Sequence, residues 1–172
     1  MKKSLTVFLI VLLAAALIVG AAAVVPALAK KKTGNVKRET LDRVDFTLEN
    51  VNQTFSYAEG GQYIAELVFT AKKTEADFYA VINDISVAGA GVEKTEVSCA
   101  ADSAAQIPAI GAVLPAENGE PLLLKWTVRV YFSAENAGDI PLALTVDFTS
   151  GVKKEAADRR FWTAELMFSV EE

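Results

Sequence analysis

The sequence predicts an all-β protein: an antiparallel two-sheet sandwich, immunoglobulin-like, with about seven or eight strands, after an N-terminal apolar helix. Two observations predict the sandwich. From residue 41 onward, apolar residues alternate with polar ones in several segments, which is the pattern of half-buried strands. Short turns rich in Gly, Asn, Asp and Ser separate these segments, and no long helical periodicity intervenes. The cysteine–tryptophan–cysteine pattern of antibody domains is absent, because the chain holds one cysteine.

Residues 5–29 form a long uncharged apolar run between Lys2-Lys3 and a cluster of three further lysines. As a signal peptide, residues 1–29 would end at the A-x-A site of residues 27–29, just after the helix breaker Pro26. As an uncleaved signal anchor, residues 5–25 would span the membrane, for which about 20 apolar residues are needed. The lysines after the run argue weakly against translocation, and the A-x-A site favours cleavage. Under both interpretations we expect an extracytoplasmic protein, either secreted or anchored to the membrane.

The charge of the remaining chain is divided unevenly. Residues 30–38 hold five basic side chains and no acid, whereas residues 39–172 hold ten basic and 22 acidic side chains, a net charge of −12. We therefore predict a basic linker at residues 30–40 and a single domain at residues 41–172. An acidic domain disfavours nucleic acid as a partner. The linker either contacts anionic lipid or an acidic envelope polymer, or is solvated.

Seven segments alternate strongly enough to be predicted as strands. The first four cover residues 44–48, 63–70, 78–87 and 95–99. Within the third segment, the apolar residues before Asn83-Asp84 and those after it fall on opposite phases of the alternation. This slip predicts a β-bulge or a bend between sheets. The other three cover residues 122–132, 140–148 and 162–170, and a charged stretch at 153–160 predicts one or two helical turns. Residues 122–132 give the clearest strand, and we predict that Trp126 faces the core in the middle of a sheet.

Residues 104–115 are apolar but have neither strand nor helix periodicity, because Pro108, Gly111 and Pro115 interrupt them. This loop either closes one end of the core or presents an apolar surface to a partner. Closure of the core is the favoured interpretation of the segment, and as a surface for a partner we favour this loop over a sheet edge, since four large aliphatic residues exceed what a turn requires. An open sheet edge is the alternative binding surface. The predicted partner-binding residues are Ile107, Ile110, Val113 and Leu114.

The composition excludes several kinds of chemistry. The chain has no histidine, so a Ser-His-Asp triad and histidine-based acid–base catalysis are excluded. Cys99 is predicted to be a buried apolar residue rather than a reactive thiol. Acidic residues in the predicted loops could bind calcium, but no stretch matches a calcium-binding loop. We therefore predict that the protein has neither a cofactor nor a metal site and that it is not an enzyme.

These observations predict a non-enzymatic module for cell-surface protein–protein interaction or envelope structure. Its expected partner is an envelope or cell-surface protein or a second copy of the chain, with membrane contact through residues 5–25 if these are retained. The alternative is a module that binds carbohydrate or an envelope polymer through stacked aromatic side chains. The candidates for that stacking face are Tyr57, Tyr63, Tyr79, Tyr131 and Trp162.

Overall fold

A computed structural model describes residues 36–49, 52–55, 62–101, 106–116, 123–134 and 138–170, with residues 52–55 described by their backbone. The predicted apolar helix and its cleavage site lie outside these residues. Within the described part of the chain, no helix has the length and apolarity needed to cross a membrane.

Ten strands and one short 3₁₀ helix form the regular structure of the described residues. Three of the strands, β1, β3 and β7, were not predicted: β1 has one apolar residue and so no alternation, and β3 and β7 have only four and two residues. In chain order the elements are β1 (Lys37–Leu41), β2 (Val44–Glu49), β3 (Asn52–Phe55), β4 (Gln62–Lys73), β5 (Tyr79–Gly89), β6 (Val92–Ala101), β7 (Gln106–Ile107), β8 (Leu124–Ser133), β9 (Gly138–Gly151), the 3₁₀ helix (Lys154–Ala156) and β10 (Asp158–Val170).

The strands form two sheets, so the predicted all-β sandwich is confirmed. One sheet has six strands in the order β1-β2-β4-β8-β6-β7, and the other has four in the order β3-β10-β9-β5. Every pair is antiparallel except β3 and β10, which run parallel. β3 follows β2 of the six-stranded sheet directly and enters the four-stranded sheet, and this change of sheet is not visible in an alternating pattern.

The core lies between the sheets and is filled by the inward residues of each alternating pattern. Trp126 of β8 is fully buried and stacks on Phe69 of β4, with ring centroids 5.2 Å apart and planes inclined by 7°. Trp162 of β10 stacks on Phe46 of β2 at 4.6 Å. The two tryptophans therefore pack against aromatic rings of the six-stranded sheet, one from within that sheet and one from the facing sheet.

The predicted irregularity at Asn83-Asp84 is confirmed as a break in the ladder between β5 and β9. Ile82 pairs with Phe148 and Asp84 pairs with Asp147, so Asn83 is the extra residue. The bulge lets Ile82 and Ile85 both face the core although three positions separate them.

Residues 37–40, assigned above to the basic linker, instead form most of the edge strand β1. A two-residue turn joins β1 to β2, and both of its residues have positive φ, 45° at Asp42 and 62° at Arg43. Such turns normally carry Asn-Gly or Asp-Gly, so Asp-Arg gave no turn signal. The Asp42 carboxylate accepts a hydrogen bond of 2.6 Å from Ser150 and pairs with Arg160, which ties this turn to the other sheet.

Two further boundaries differ from the sequence prediction. β8 is central, between β4 and β6, as predicted, but four other strands, β4, β5, β9 and β10, are longer. The charged stretch at 153–160 supplies one short 3₁₀ turn, and its last residues already belong to β10.

Candidate functional site

Residues 106–116, called here the apolar loop, join the two sheets along one side of the sandwich. At its start, β7 pairs with β6 of the six-stranded sheet. In its middle, Gly111 N–H donates to the Ile82 carbonyl at 2.8 Å and Leu114 N–H donates to the Ala80 carbonyl at 2.9 Å. At its end, the Pro115 carbonyl accepts from Lys73 N–H of β4. The loop is therefore fixed to three strands of the two sheets.

The core also holds the apolar loop from inside. Trp126 donates from its indole Nε1 to the Ala109 carbonyl at 2.8 Å, which gives the buried indole the partner that it requires. Leu114 is 1% exposed and belongs to the core. The prediction that the loop closes the core is thus correct for its inward residues.

The structure separates the four predicted partner-binding residues. Leu114 is a core side chain and cannot contact a partner, and Ile107 is half-buried and packs against the core opposite Cys99. Ile110 and Val113 are 43% and 56% exposed. Of the four predicted residues, only Ile110 and Val113 therefore lie on the surface.

Val113 extends the four-stranded sheet beyond its edge. It forms an isolated antiparallel bridge with Val81 of β5. The loop thus lies beside β5 like a short additional strand at Ala80 to Ile82, and it satisfies the backbone groups there. Further along β5, none of the described residues pairs with Ile85 to Gly89 on the side away from β9.

The outer face of the six-stranded sheet carries paired charges across its strands. Lys125 of β8 lies 3.5 Å from Glu49 of β2, and Arg129 of β8 lies 3.4 Å from Glu66 of β4. On β6, Lys94 pairs with Glu96, and its hydrogen bond lowers the pKa of the Glu96 carboxyl from its ordinary value. This face is a solvated surface with charges of both signs, and exposed pairs of this kind contribute little to stability.

One end of the outer face of the four-stranded sheet holds a buried carboxylate. Asp147 of β9 is 5% exposed, and it accepts hydrogen bonds from Arg159 Nε at 2.8 Å and from Asn83 Nδ2 at 3.0 Å. The hydrogen bond from Arg159 is the main reason that the pKa of Asp147 is lowered. The Arg159 guanidinium also lies over the exposed ring of Phe161, 5.3 Å from its centroid. All of these groups have partners, so the cluster is structural.

The other end of the same face is nearly free of charge. A shallow depression of about 460 Å³ lies over β5, β9 and β10, and its lining includes Ala88, Gly89, Ala143 and Met167. Glu165 is the charged residue in that lining. At Gly89 a Cβ atom would collide with Leu142 Cδ2 and lie 2.9 Å from the Pro141 carbonyl oxygen, so a larger residue there would have to displace the neighbouring strand.

The described residues offer little reactive chemistry. Cys99 is buried as predicted, and burial raises the pKa of its thiol to about 11, so the thiol is protonated at neutral pH. No group of three acidic, cysteine or histidine side chains that could hold a metal ion is present among these residues. Two of the acids considered for calcium have protein partners: Glu75 pairs with Arg43, and Asp139 accepts from Ser169.

Among the described residues, the aromatic candidates for sugar stacking, Tyr63, Tyr79, Tyr131 and Trp162, do not form an exposed face. Trp162 is 1% exposed and lies in the core, where its indole donates to Glu39 at 3.0 Å. Tyr63 is half-buried and stacks on Phe132, and Tyr131 donates its hydroxyl to Glu96. Tyr57 lies outside the described residues. Phe161 is an exposed aromatic residue on the four-stranded sheet that was not among these candidates.

Sequence reasoning missed the surface features of the four-stranded sheet. Phe161 and Met167 lie on the phase of β10 opposite to the apolar residues at 162, 164 and 166, so the alternation in this strand could have placed both of them outward. The unpaired part of β5 leaves no trace in an alternating pattern, because edge and central strands can have the same periodicity.

Comparison with known proteins identifies no family. No protein-family model and no curated protein matches the chain. Among solved structures it is similar to the GAE domain of yeast GGA1, with 13% identity over 77% of this chain and 98% of that one, and a TM-score of 0.37. It is also similar to the CooA pilin subunit of enterotoxigenic Escherichia coli (12% identity, 81% and 100% coverage, TM-score 0.37) and to a PapD-like domain of human CEP192 (13%, 81% and 95%, 0.34). With TM-scores this low, these likenesses carry no functional argument.

Proposed function

We propose that this protein is an extracytoplasmic, non-enzymatic module with an immunoglobulin-like β-sandwich that acts through protein–protein contacts at the cell surface or in the envelope. The apolar run at residues 5–29, with lysines on both sides, supports export of the domain. The absence of histidine from the sequence removes the commonest acid–base catalyst.

One observation carries the interaction role: the apolar loop is fixed firmly and yet exposes two large aliphatic side chains. Closing the core requires inward residues such as Leu114, and it does not require Ile110 and Val113 to face solvent. Because the backbone of the loop is hydrogen-bonded to both sheets, binding there would cost little ordering entropy. An exposed and rigid apolar pair is the arrangement expected of a contact surface.

The proposal predicts that Val113 touches another protein in the cell. A photo-reactive amino acid placed at position 113 of the full chain should give a cross-linked product, detected as a shifted band on a gel. The matched control is position 152, because Val152 is equally apolar and 66% exposed but lies near the short 3₁₀ helix rather than on the apolar loop.

Replacing Ile110 and Val113 by Ser should abolish product formation from a photo-reactive group at the exposed position 108, while the thermal midpoint stays within a few degrees of the parent's. Surface substitutions away from special features change stability by about 0.5 kcal/mol or less. Equal products at positions 113 and 152 would contradict a specific contact. A large drop in the midpoint would show that the two side chains serve the core instead.

A further inference from the structure

Among the described residues, the last five residues of β5, from Ile85 to Gly89, form a sheet edge without the protection that β1, β3, β6 and β7 have. β1 carries Lys37, Arg38 and Glu39, and Lys37 Nζ donates across to the Thr163 carbonyl. β3 has four residues and β7 has two, and short edge strands are poor templates for pairing. β6 is irregular at Glu93 and is charged at Lys94 and Glu96.

Residues 85–89 of β5, called here the open run, differ from these edges in composition. They are Ile, Ser, Val, Ala and Gly, without charge or proline, and Ala90-Gly91 continues the uncharged stretch. The nearest charged residue on the strand is Asp84, at the bulge just before the run. Natural edge strands usually carry a charge, a proline or a bulge within the exposed run, and here the bulge lies outside it.

The backbone groups that face the open edge follow from the contacts of the apolar loop. The carbonyls of Ala80 and Ile82 accept hydrogen bonds from the loop, so these residues direct their polar groups away from β9. Orientation alternates along an antiparallel strand, and the extra residue Asn83 shifts the alternation by one. Ile85, Val87 and Gly89 therefore direct their N–H and C=O groups to the open edge.

We propose that this edge pairs antiparallel with the same edge of a second copy of the chain, with Val87 on the two-fold axis. This inference rests on the proposed function and names its partner. In this register Val87 pairs with Val87 of the copy and Ile85 pairs with Gly89 of the copy, giving about six backbone hydrogen bonds. The two four-stranded sheets then form one continuous sheet of eight strands, within the ordinary size of open sheets.

Charge argues for a second copy as the occupant. When residues 85–89 of one chain pair with the same residues of the copy, no like charges lie opposite each other. Asp84 falls beyond the paired residues, beside the uncharged Ala90-Gly91 turn of the copy. The same register places that turn next to Ile110 and Gly111 of the apolar loop, because the loop occupies β5 just beyond the open run. The exposed aliphatic residues of the loop and the open edge thus form one contact surface.

The register makes a specific prediction for disulfide cross-linking. Ser86 lies opposite Ala88 of the copy in a pair without backbone hydrogen bonds, with Cα atoms about 4.5 Å apart, within the range of a disulfide. Both residues are exposed on the outer face of the sheet. A mixture of Ser86→Cys and Ala88→Cys full chains, purified in mild detergent with different tags and mildly oxidised, should form the dimer that carries both tags.

Each variant alone should give little cross-linked dimer. In a dimer of one variant, identical positions are diagonal, about 7–8 Å apart, and are poorly placed for a disulfide. The native Cys99 is buried and does not compete. Chains that merely share a detergent micelle would cross-link as readily in the single-variant samples as in the mixture, and that result would overturn the proposal.

A charge substitution tests the same edge without a disulfide. Ser86→Lys should abolish the dimer measured by light scattering on the detergent-solubilised chain. Thr163→Lys should leave the dimer unchanged, because Thr163 is exposed on the same outer face and in the same row of the sheet, two strands away from the edge. Equal behaviour of the two variants would overturn the proposal.

The tests also separate this inference from the function on which it rests. A photo-cross-link from position 113 to a different protein, together with no mixed disulfide dimer, would refute self-pairing and leave the interaction role standing. A mixed disulfide dimer that forms without any cross-link at position 113 would support self-pairing and remove the apolar loop from the contact.

Discussion

Trp126 and Lys125 are adjacent in β8, and their side chains meet opposite environments. Trp126 is fully buried, stacks on Phe69 and donates its indole N–H to the Ala109 carbonyl. Lys125 is exposed and lies 3.5 Å from Glu49 in a half-exposed ion pair. The period of two along a strand predicted this contrast, but the alternation could not identify the carbonyl that the indole reaches.

Trp126→Ala should lower the free energy of unfolding by about 3–5 kcal/mol, because it removes a large core side chain and leaves a cavity. It also leaves the Ala109 carbonyl without its donor. Urea unfolding of the variant measures the loss. The matched control, Lys125→Ala, should cost less than about 1 kcal/mol. If both variants lost similar small amounts, the inward face of β8 would be assigned wrongly.

At the scale of elements, Asp147 and Arg159 connect strands that already pair through their backbones. Asp147 of β9 receives hydrogen bonds from Arg159 of β10 and from Asn83 at the bulge of β5. The bulge thus does more than change the phase of β5, since its extra residue supplies a donor to the buried carboxylate. These cross-strand bonds join three strands of the four-stranded sheet near one end.

Asp147→Asn should cost about 1.5–3 kcal/mol near neutral pH, the usual contribution of hydrogen bonds to a charged group. The pKa of Asp147 is lowered by its hydrogen bond from Arg159, so the carboxylate stabilises the fold above the unfolded pKa of about 3.9. That contribution is lost as the pH falls through the lower folded pKa. The difference in free energy of unfolding between parent and variant should therefore become smaller as the pH falls below about 4. Urea unfolding at several pH values measures this difference.

Arg159→Gln provides the complementary variant. It leaves Asp147 buried without its cation, so its destabilisation should also be largest near neutral pH and should diminish on acidification. If the free energy of unfolding of each variant differed from that of the parent by the same amount at neutral and at acidic pH, the ionised carboxylate would not contribute to stability.

At the scale of the whole molecule, charge and hydropathy divide the chain into three parts. An apolar run is followed by a basic segment, and the rest of the chain has a net charge of −12. The basic segment leads directly into β1, whose Lys37 and Glu39 contact Thr163 and Trp162 of the other sheet. The segment that follows the apolar run is therefore joined to the domain by an edge strand.

Export of the domain is the expected consequence of this arrangement. Protease added to intact cells or spheroplasts should remove residues 39–172, while a cytoplasmic control protein survives. Mass spectrometry of the mature chain then decides between Lys30 as the first residue and a retained anchor. Full protection until the cells are lysed would disprove export.

Sequence alone determined the features that depend on local periodicity. The seven longer strands, the inward direction of Trp126, and the bulge at Asn83-Asp84 all follow from the period of two and its interruption. Burial of Cys99 follows from the rule that a lone cysteine usually behaves as a small apolar residue.

Tertiary structure alone decided the features that depend on which segments meet. Leu114 and Val113 are adjacent and both aliphatic, yet one is buried and the other exposed, because the apolar loop lies across the edge of β5 with one face toward the core. β1 has one apolar residue, and β3 and β7 have four and two residues, so none of them shows a periodicity; they are recognised by their pairing. The open edge of β5 was equally hidden, because a sheet edge is defined by the neighbour that a strand lacks, and no residue in its own sequence encodes that absence.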